Sequence, residues 1–278
     1  MSSISGATRV AGVIGDPVRH SLSPILHNAA YRELALDWVY VAFEVPDGAT
    51  RGAVDAMRTL GLAGLSVTMP HKSAAAAAAD RLSDDARTLG SVNTLTLEAD
   101  DMIAGDSTDG EGFLRSLRDA GCSVAGARVV LLGAGGAARA VAHALGRAGA
   151  NVTVSARRAP AAVTAAELAR GGTVPWDERA AAAGAADVVV NATPVGMGGD
   201  GVPLPLDALR HGQVLADLVY HPLETPLLSG ARARGAIVVD GLGMLVHQAA
   251  LQVERWTAKP APVEAMRAAA ERQLRRET

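Results

Sequence analysis

The segment Arg128-Val-Val-Leu-Leu-Gly133-Ala-Gly135-Gly136-Ala-Ala138 reads as a strand, a glycine turn and a helix start, and it constrains the fold more than any other stretch. Gly133 permits the tight turn, Gly135 lets backbone approach a pyrophosphate, and Ala138 packs the helix against the sheet. Exposed N–H groups at such a helix start attract phosphates. The helix runs to Gly149 and a second strand follows at Val152–Ser155, so residues 128–158 read as a dinucleotide-binding unit. The plainer alternative is a glycine-rich turn in a non-binding domain. An NAD enzyme usually places Asp or Glu after that second strand to hold the ribose hydroxyls. Here the chain reads Ser155-Ala156-Arg157-Arg158, with no acid and two guanidinium groups suited to a 2′-phosphate. NADP(H) is therefore the expected cofactor, unless the arginines are only solvated surface charges.

Short apolar runs alternate with amphipathic segments along the whole chain, the pattern of an α/β protein. In the first part, strands are expected at Arg9–Ile14, Val39–Val45 and Leu65–Met69, with helices at Pro24–Leu36, Asp47–Leu60 and Lys72–Arg81. A strand pair, Val92–Glu98 and Met102–Gly105, leads into a helix at Gly110–Ala120. After the break at Gly121–Gly126, strands are suggested at Val129–Leu132, Val152–Ser155, Asp187–Asn191, Val214–Leu218 and Ile237–Asp240, with a short one near Thr173–Trp176. That is the element set of a doubly wound nucleotide-binding domain. Helical periodicity returns at Met244–Trp256 and Val263–Arg276.

The 278 residues are 49% apolar and 20% charged, as in a folded globule, and the net charge of −3 gives no reason to expect nucleic acid or an anionic membrane as partner. No apolar run approaches the roughly 20 residues of a membrane span, and Met1 to Arg9 lacks a signal-peptide pattern. The lone cysteine, Cys122, fits a reducing cytoplasm. The seven histidines show no metal-ligand spacing, and no metal is expected. Among 26 basic residues only Lys72 and Lys259 are lysines. Lysine can release its proton near neutrality when its site lowers its pKa, whereas arginine cannot, so a lysine in such a chain calls for a reason.

Polar clusters stand where α/β enzymes keep their chemistry, at strand ends and loops. They are His20-Ser21-Leu-Ser23-Pro24, Ser66-Val-Thr68-Met-Pro70-His71-Lys72, Ser91-Val-Asn93-Thr94 and Asp106-Ser107-Thr108-Asp109-Gly110. Singly, each has a bland reading: Ser23 an N-cap, Thr68 an ordinary strand residue, Asn93 a turn former, Asp109 a helix cap. Together they suit a small polyhydroxylated acid. A serine pair can bind a carboxylate, an amide and a carboxylate can take hydroxyls, and Lys72 with Asp109 can form an acid–base pair if they meet in space.

These segments resemble the shikimate dehydrogenase family over nearly the whole length and in the family's order. Gly15-Asp16-Pro17 through Pro24, Ser66 to Lys72, Gly90 to Thr94 and Thr108-Asp109-Gly110 are followed by Gly133–Ala138 and Asn191-Ala-Thr193-Pro-Val-Gly196-Met197. Asp217-Leu218-Val219-Tyr220 and Asp240-Gly241 to Gln248-Ala249 complete the set. The resemblance implies reversible NADPH-dependent reduction of 3-dehydroshikimate to shikimate in chorismate and aromatic amino-acid biosynthesis. It implies an N-terminal α/β substrate domain, 1–110, completed by C-terminal helices 244–278, and a Rossmann-type NADP domain, 111–243. The active site would lie between domains in a cytoplasmic monomer or homodimer. Ser21, Ser23, Thr68, Lys72, Asn93, Asp109, Tyr220 and Gln248 would bind substrate, and Lys72 and Asp109 would be catalytic. Asp84, Gly133, Ala134, Gly135, Gly136, Ala137, Arg157, Leu218 and Gly241 would contact the cofactor.

Two departures stand out. Ser107 replaces the asparagine usual in the family's Asn-Thr-Asp, and Ala156 replaces an asparagine beside the conserved guanidinium of Arg157. The alternatives are a quinate or aminoshikimate dehydrogenase using NAD(P), and a regulatory protein that binds nucleotide without turnover. The Ser21-x-Ser23 pair favours shikimate, because quinate-using relatives tend to carry threonine at the second place. Lys72 and Asp109, both present, argue against the regulatory reading.

Overall fold

The computed structural model describes residues 4–277; Met1–Ser3 of the amino-terminal stretch read above, and Thr278, lie outside them. The described residues form two compact units, one of residues 4–108 and 248–277 and one of residues 109–247. In the first, β1 (Arg9–Gly15), α1 (Ser23–Glu33), β2 (Trp38–Glu44), α2 (Thr50–Leu60), β3 (Gly64–Val67), α3 (Lys72–Ala78), β4 (Arg81–Leu82), α4 (Asp84–Leu89), β5 (Thr94–Leu97) and β6 (Ile103–Asp106) follow in order. The second holds α5 (Asp109–Asp119), β7 (Arg128–Leu132), α6 (Gly136–Arg147), β8 (Asn151–Ser155), α7 (Ala159–Leu168), β9 (Gly172–Thr173), α8 (Arg179–Ala185), β10 (Val188–Asn191), β11 (Val214–Asp217), α9 (Pro226–Ala233) and β12 (Ile237–Val239). The helix α10 (Gly241–Thr257) begins in the second unit and ends in the first, where α11 (Val263–Glu277) follows.

The first sheet runs β2-β1-β3-β5-β6-β4. Its first three strands are parallel, while β5 is antiparallel to both β3 and β6. Apolar residues of α2, α3 and α4, among them Met57, Ala75 and Ala86, close over Leu65, Val67 and Leu95 of the sheet. The opposite face receives α10, which lies close enough that a Cβ on Gly64 of β3 would sit 2.2 Å from the Trp256 ring. Trp256 also donates its indole N–H to the Leu95 carbonyl at 3.2 Å.

All six strands of the second sheet are parallel, in the order β12-β11-β10-β7-β8-β9. Counted from β7, this is the doubly wound 3-2-1-4-5-6 order, whose reversal between β7 and β10 opens a crevice at the carboxyl ends of the strands. One face is covered by α5, α6 and α7 through Phe113, Val141, Leu145 and Ala165, the other by α8 and α9 through Ala183, Leu227 and Leu228. The first face packs tightly: a Cβ on Gly110 would meet Ala140 and Ala144 of α6 at 2.7 Å. Among the described residues no helix is long and apolar enough to cross a membrane.

Several element ends differ from the sequence expectation, and three of the differences bear on the sheets and their connections. The alanine-rich helix expected to reach Arg81 ends at Ala78, and Arg81–Leu82 instead pairs with β6. Sheet contacts overcome alanine's helix preference there, because the Asp80 N–H and carboxylate both bond to Ile103, at 2.9 and 2.7 Å. The strand expected near Thr173–Trp176 shortens to Gly172–Thr173, since Trp176 already opens a 3-10 turn. The helix α4, capped by Ser83 through Ala86 N–H at 3.2 Å, was not expected from periodicity.

Candidate active site

Of the residues expected to meet a substrate, Ser21, Ser23, Thr68, Lys72, Asn93 and Gln248 belong to the first unit, on its loops and helices, and Asp109 and Tyr220 to the second. Ser21 and Ser23 follow β1. Ser23 is the first residue of α1, preceded by Leu22 at the N-cap, and the Ser21 hydroxyl accepts from Ser23 N–H at 3.2 Å. The N-cap is Leu22, with no side-chain capping bond, so the bland reading of Ser23 as N-cap does not hold. Thr68 follows β3, its N–H bonded to Ile14 carbonyl at 3.0 Å, and its methyl group lies where a Cβ on Gly15 would come within 2.5 Å. Gly15 has to be glycine because the two loops touch there.

Lys72 opens α3 and is half-buried; its carbonyl accepts from Val92 N–H at 3.1 Å. The preceding residue, His71, is buried and pins this turn. Its Nε2–H donates to the Val45 carbonyl at 2.8 Å, which leaves Nδ1 to accept from the Thr50 hydroxyl at 2.8 Å. A carbonyl can only accept, so the tautomer follows from the partners.

Asn93 immediately precedes β5 and is 3% exposed. Its Oδ1 accepts from Thr108 N–H at 2.8 Å and from the Thr94 hydroxyl at 2.9 Å. Its Nδ2 donates to Thr108 Oγ1 at 2.9 Å and to Gln248 Oε1 at 3.4 Å. A turn former would be solvated; this side chain is a buried junction. Behind it, Tyr40 donates to Ser66 Oγ at 2.6 Å and Ser66 donates to Gln252 Oε1 at 2.7 Å. Gln252 Nε2 donates to the Asn93 carbonyl at 3.2 Å and to Thr94 Oγ1 at 3.0 Å. Burial pushes the Tyr40 phenol far above its usual pKa, opposed by hydrogen bonds to Ser66 and Ser23. The Tyr40 ring stacks on His27 at 4.0 Å, and His27 Nδ1 donates to the Ser23 carbonyl at 2.9 Å. Burial lowers the His27 pKa to about 4. Of these, Tyr40, His27 and Gln252 escaped the sequence reading; the one signal is that Gln248, Gln252 and Trp256 recur every four residues along α10.

In the second unit the glycine loop has the geometry a pyrophosphate needs. Gly133 has φ +110°, and a Cβ there would lie 2.7 Å from the Ala192 carbonyl oxygen. Gly135 and Gly136 open α6 with nothing within 4 Å of an added Cβ. Gly135, Gly136 and Ala137 are exposed and Ala134 half-buried, so the N–H groups of this 12-residue helix face open space. At the end of β8, Arg157 and Arg158 are both exposed. A nucleotide with a 2′-phosphate fits this donor set, glycine turn, helix N-terminus and two guanidinium groups, better than one with free ribose hydroxyls. Leu218 follows β11, and Gly241 opens α10 with the Leu218 carbonyl oxygen 2.5 Å from where its Cβ would be. Beneath these loops Asp217 accepts from Asn191 Nδ2 at 2.8 Å, Thr225 Oγ1 at 2.7 Å and Val219 N–H at 3.1 Å. Its carboxyl pKa is nonetheless raised by burial.

Tyr220 is half-buried, and burial raises its phenol pKa. Asp109 is buried in the first turn of α5, one peptide bond beyond Thr108. Asp84 belongs to the first unit, at the start of α4, with its side chain 96% exposed and paired to Arg87 at 2.7 Å. Ser107, the residue in place of the family's asparagine, donates its N–H to the Asp106 carboxylate at 2.8 Å. Asp106 also takes the Ser83 hydroxyl at 2.5 Å and the Arg255 guanidinium, so backbone and neighbours hold this loop without a side-chain amide at 107.

Comparison with known proteins agrees with this arrangement. Residues 13–95 match the shikimate dehydrogenase substrate-binding domain, residues 241–271 the shikimate 5′-dehydrogenase C-terminal domain, and residues 128–219 a family described as NADP oxidoreductase, coenzyme F420-dependent. The shikimate dehydrogenase (NADP(+)) of Methanopyrus kandleri is 46% identical, with 98% of each chain covered. Shikimate 5-dehydrogenase of Thermus thermophilus, solved in complex with NADP(H) and shikimate, superposes with a TM-score of 0.89 at 37% identity, over 95% of this chain and 99% of that one. A quinate dehydrogenase from Corynebacterium glutamicum, solved in complex with NAD, also reaches 0.89, at 31% identity over 94% and 98%. From its glycine loop to the Asn93 junction, and at 46% identity across nearly its whole length, this chain belongs to the shikimate dehydrogenase family.

Proposed function

We propose that this protein is an NADP-dependent shikimate dehydrogenase, catalysing the reversible reduction of 3-dehydroshikimate to shikimate in the route to chorismate and the aromatic amino acids. The observation that carries the reading is the pairing of an arginine-ended β8, without an acid, with the buried Asn93–Thr108–Gln248 junction. NADPH, when bound, supplies the hydride. Gly133 to Ala137 hold its pyrophosphate by backbone N–H groups, Arg157 takes the 2′-phosphate, and Leu218 and Gly241 offer backbone beside it. Asp84 belongs to this set only through the family pattern.

Ser21 and Ser23 bind the substrate carboxylate, while Thr68, Asn93, Asp109, Tyr220 and Gln248 take its ring oxygens. Lys72 gives the proton to the oxygen that gains negative charge at C3, and Asp109 orients that exchange. His71, locked between Val45 and Thr50, keeps the first turn of α3 in place for Lys72. Acid–base catalysis of this kind contributes about 10²–10⁴-fold. Domain boundaries near 110 and 244 and a cytoplasmic monomer or homodimer complete the reading; the buried, unpaired Cys122 thiol fits a reducing compartment.

The test crosses two substrates with two cofactors. Oxidation of shikimate or quinate is followed by absorbance of the reduced cofactor with NADP⁺ or NAD⁺. The reading predicts the highest kcat/KM for shikimate with NADP⁺. Preference for quinate or an aminated analogue, or for NAD⁺, would replace it with the sister activity. Nucleotide binding without turnover of any of these substrates would point to a regulatory protein.

A further inference from the structure

The Asn93 amide can serve a substrate only if its oxygen and nitrogen point the right way. Its Oδ1 faces two donors, Thr108 N–H and the Thr94 hydroxyl, and this sets Nδ2 toward Thr108 and Gln248. Thr94 has a single hydroxyl hydrogen. It goes to Asn93 because Gln252 Nε2 donates to the Thr94 oxygen from the other side. Gln252 is oriented in turn by the Ser66 hydroxyl donating to its Oε1, and the Ser66 oxygen is already filled by the Tyr40 hydroxyl. The result is a one-way line of donors, Tyr40 to Ser66 to Gln252 to Thr94 to Asn93, with every member buried. In a low-dielectric interior each bond of such a line polarises the next and strengthens it.

We propose that Gln252 is a positioning residue for substrate binding: through the Thr94 hydroxyl, and together with the Thr108 N–H, it holds the Asn93 amide oxygen in place and with it the reach of Gln248. Gln252 lies one turn from Gln248 on α10, so the helix holds Asn93 at two points, its backbone carbonyl and its side-chain nitrogen. The Asn93–Gln248 contact, at 3.4 Å, is the longest link in this set and the one that a substrate hydroxyl exchanges with least loss. The inference rests on the reading that Asn93 and Gln248 are substrate ligands.

Kinetics of the Gln252→Leu enzyme test it. The KM for 3-dehydroshikimate is expected to rise about tenfold, the cost of one lost buried hydrogen bond, while kcat stays within about threefold and the Kd for NADPH within about twofold. Gln252→Glu accepts from both Ser66 and Thr94 and turns the Thr94 hydrogen away from Asn93, so its KM rises at least as far. Two further variants separate the claims. If Asn93→Ala leaves KM unchanged, the substrate-ligand reading itself falls. If Asn93→Ala raises KM, then adding Gln252→Leu should raise it by less than about twofold more, because the two act through one group. A lowered Tm with KM unmoved would reduce Gln252 to a packing role and overturn the proposal. Should Gln252→Leu not fold, Ser66→Ala decides alone: KM raised about threefold supports the line of donors, and KM unmoved overturns it.

Discussion

Thr108 donates its hydroxyl hydrogen to the backbone carbonyl of Gln248 at 3.1 Å. Thr108 is the last residue of the first unit before the chain enters the second, and Gln248 is the first residue after it returns. Both places where the chain leaves the substrate-side unit are therefore tied to each other, and both to Asn93. Asp109, the proposed partner of Lys72 in the proton exchange, is peptide-bonded to this tie.

Thr108→Val removes the hydroxyl from the tie and strands a buried Asn93 N–H donor. Leaving such a group unmatched costs about 1–3 kcal/mol. Denaturant unfolding followed by circular dichroism should show that loss, with KM for shikimate raised and NADP⁺ affinity unaltered. Thr108→Ser should restore both, because it returns the oxygen.

Arg157→Ala tests the cofactor reading. A charge-assisted hydrogen bond to the 2′-phosphate is worth about 1.5–3 kcal/mol, or roughly ten- to a hundredfold in Kd. NADPH binding, followed by fluorescence, should weaken by that factor, while NADH binding changes by less than about threefold. Because Arg157 is exposed, the difference between the two cofactors should shrink as salt is raised. Equal losses for NADPH and NADH would remove Arg157 from the 2′-phosphate.

His27 predicts a pH dependence of stability. Its folded pKa, lowered by burial to about 4, lies below the unfolded value of about 6.5. The folded protein thus binds fewer protons than the unfolded chain in this window. The contribution of neutral His27 is fully present above pH about 6.5 and is lost as pH falls toward about 4, amounting to at most about 3 kcal/mol. His27→Phe keeps the stack on Tyr40 but cannot titrate, so its Tm should fall less steeply than that of the unaltered protein over this range. Parallel Tm–pH curves would assign the acid sensitivity elsewhere.

The parts of this molecule that were legible in the sequence are those set by backbone requirements. Gly133 needs a positive φ and a bare Cα, and no other residue meets both, so the nucleotide loop could be read from a dozen letters. The central parallel strands β7 and β10 carry continuous apolar runs, as strands buried on both faces do. The Asn93 junction was legible only as a set of residue types. Ser66 and Gln252 are 186 positions apart and nothing in the sequence links them; their bond exists because α10 returns to β3 and β5. The run of alanines after Lys72 misled for a similar reason. Propensity favours helix there, and only the pairing of Arg81–Leu82 with β6 ends it.

In the proposed reaction Lys72 gives up a proton rather than only holding a charge. Steady-state reduction of 3-dehydroshikimate by the Lys72→Arg enzyme tests this most directly, with NADPH binding measured alongside. Arginine keeps the positive charge but hardly releases a proton. The expected result is a kcat lowered by about 10²–10⁴-fold with the Kd for NADPH unchanged. A kcat within about threefold of the unaltered enzyme would contradict proton transfer from Lys72 and leave it a purely electrostatic role.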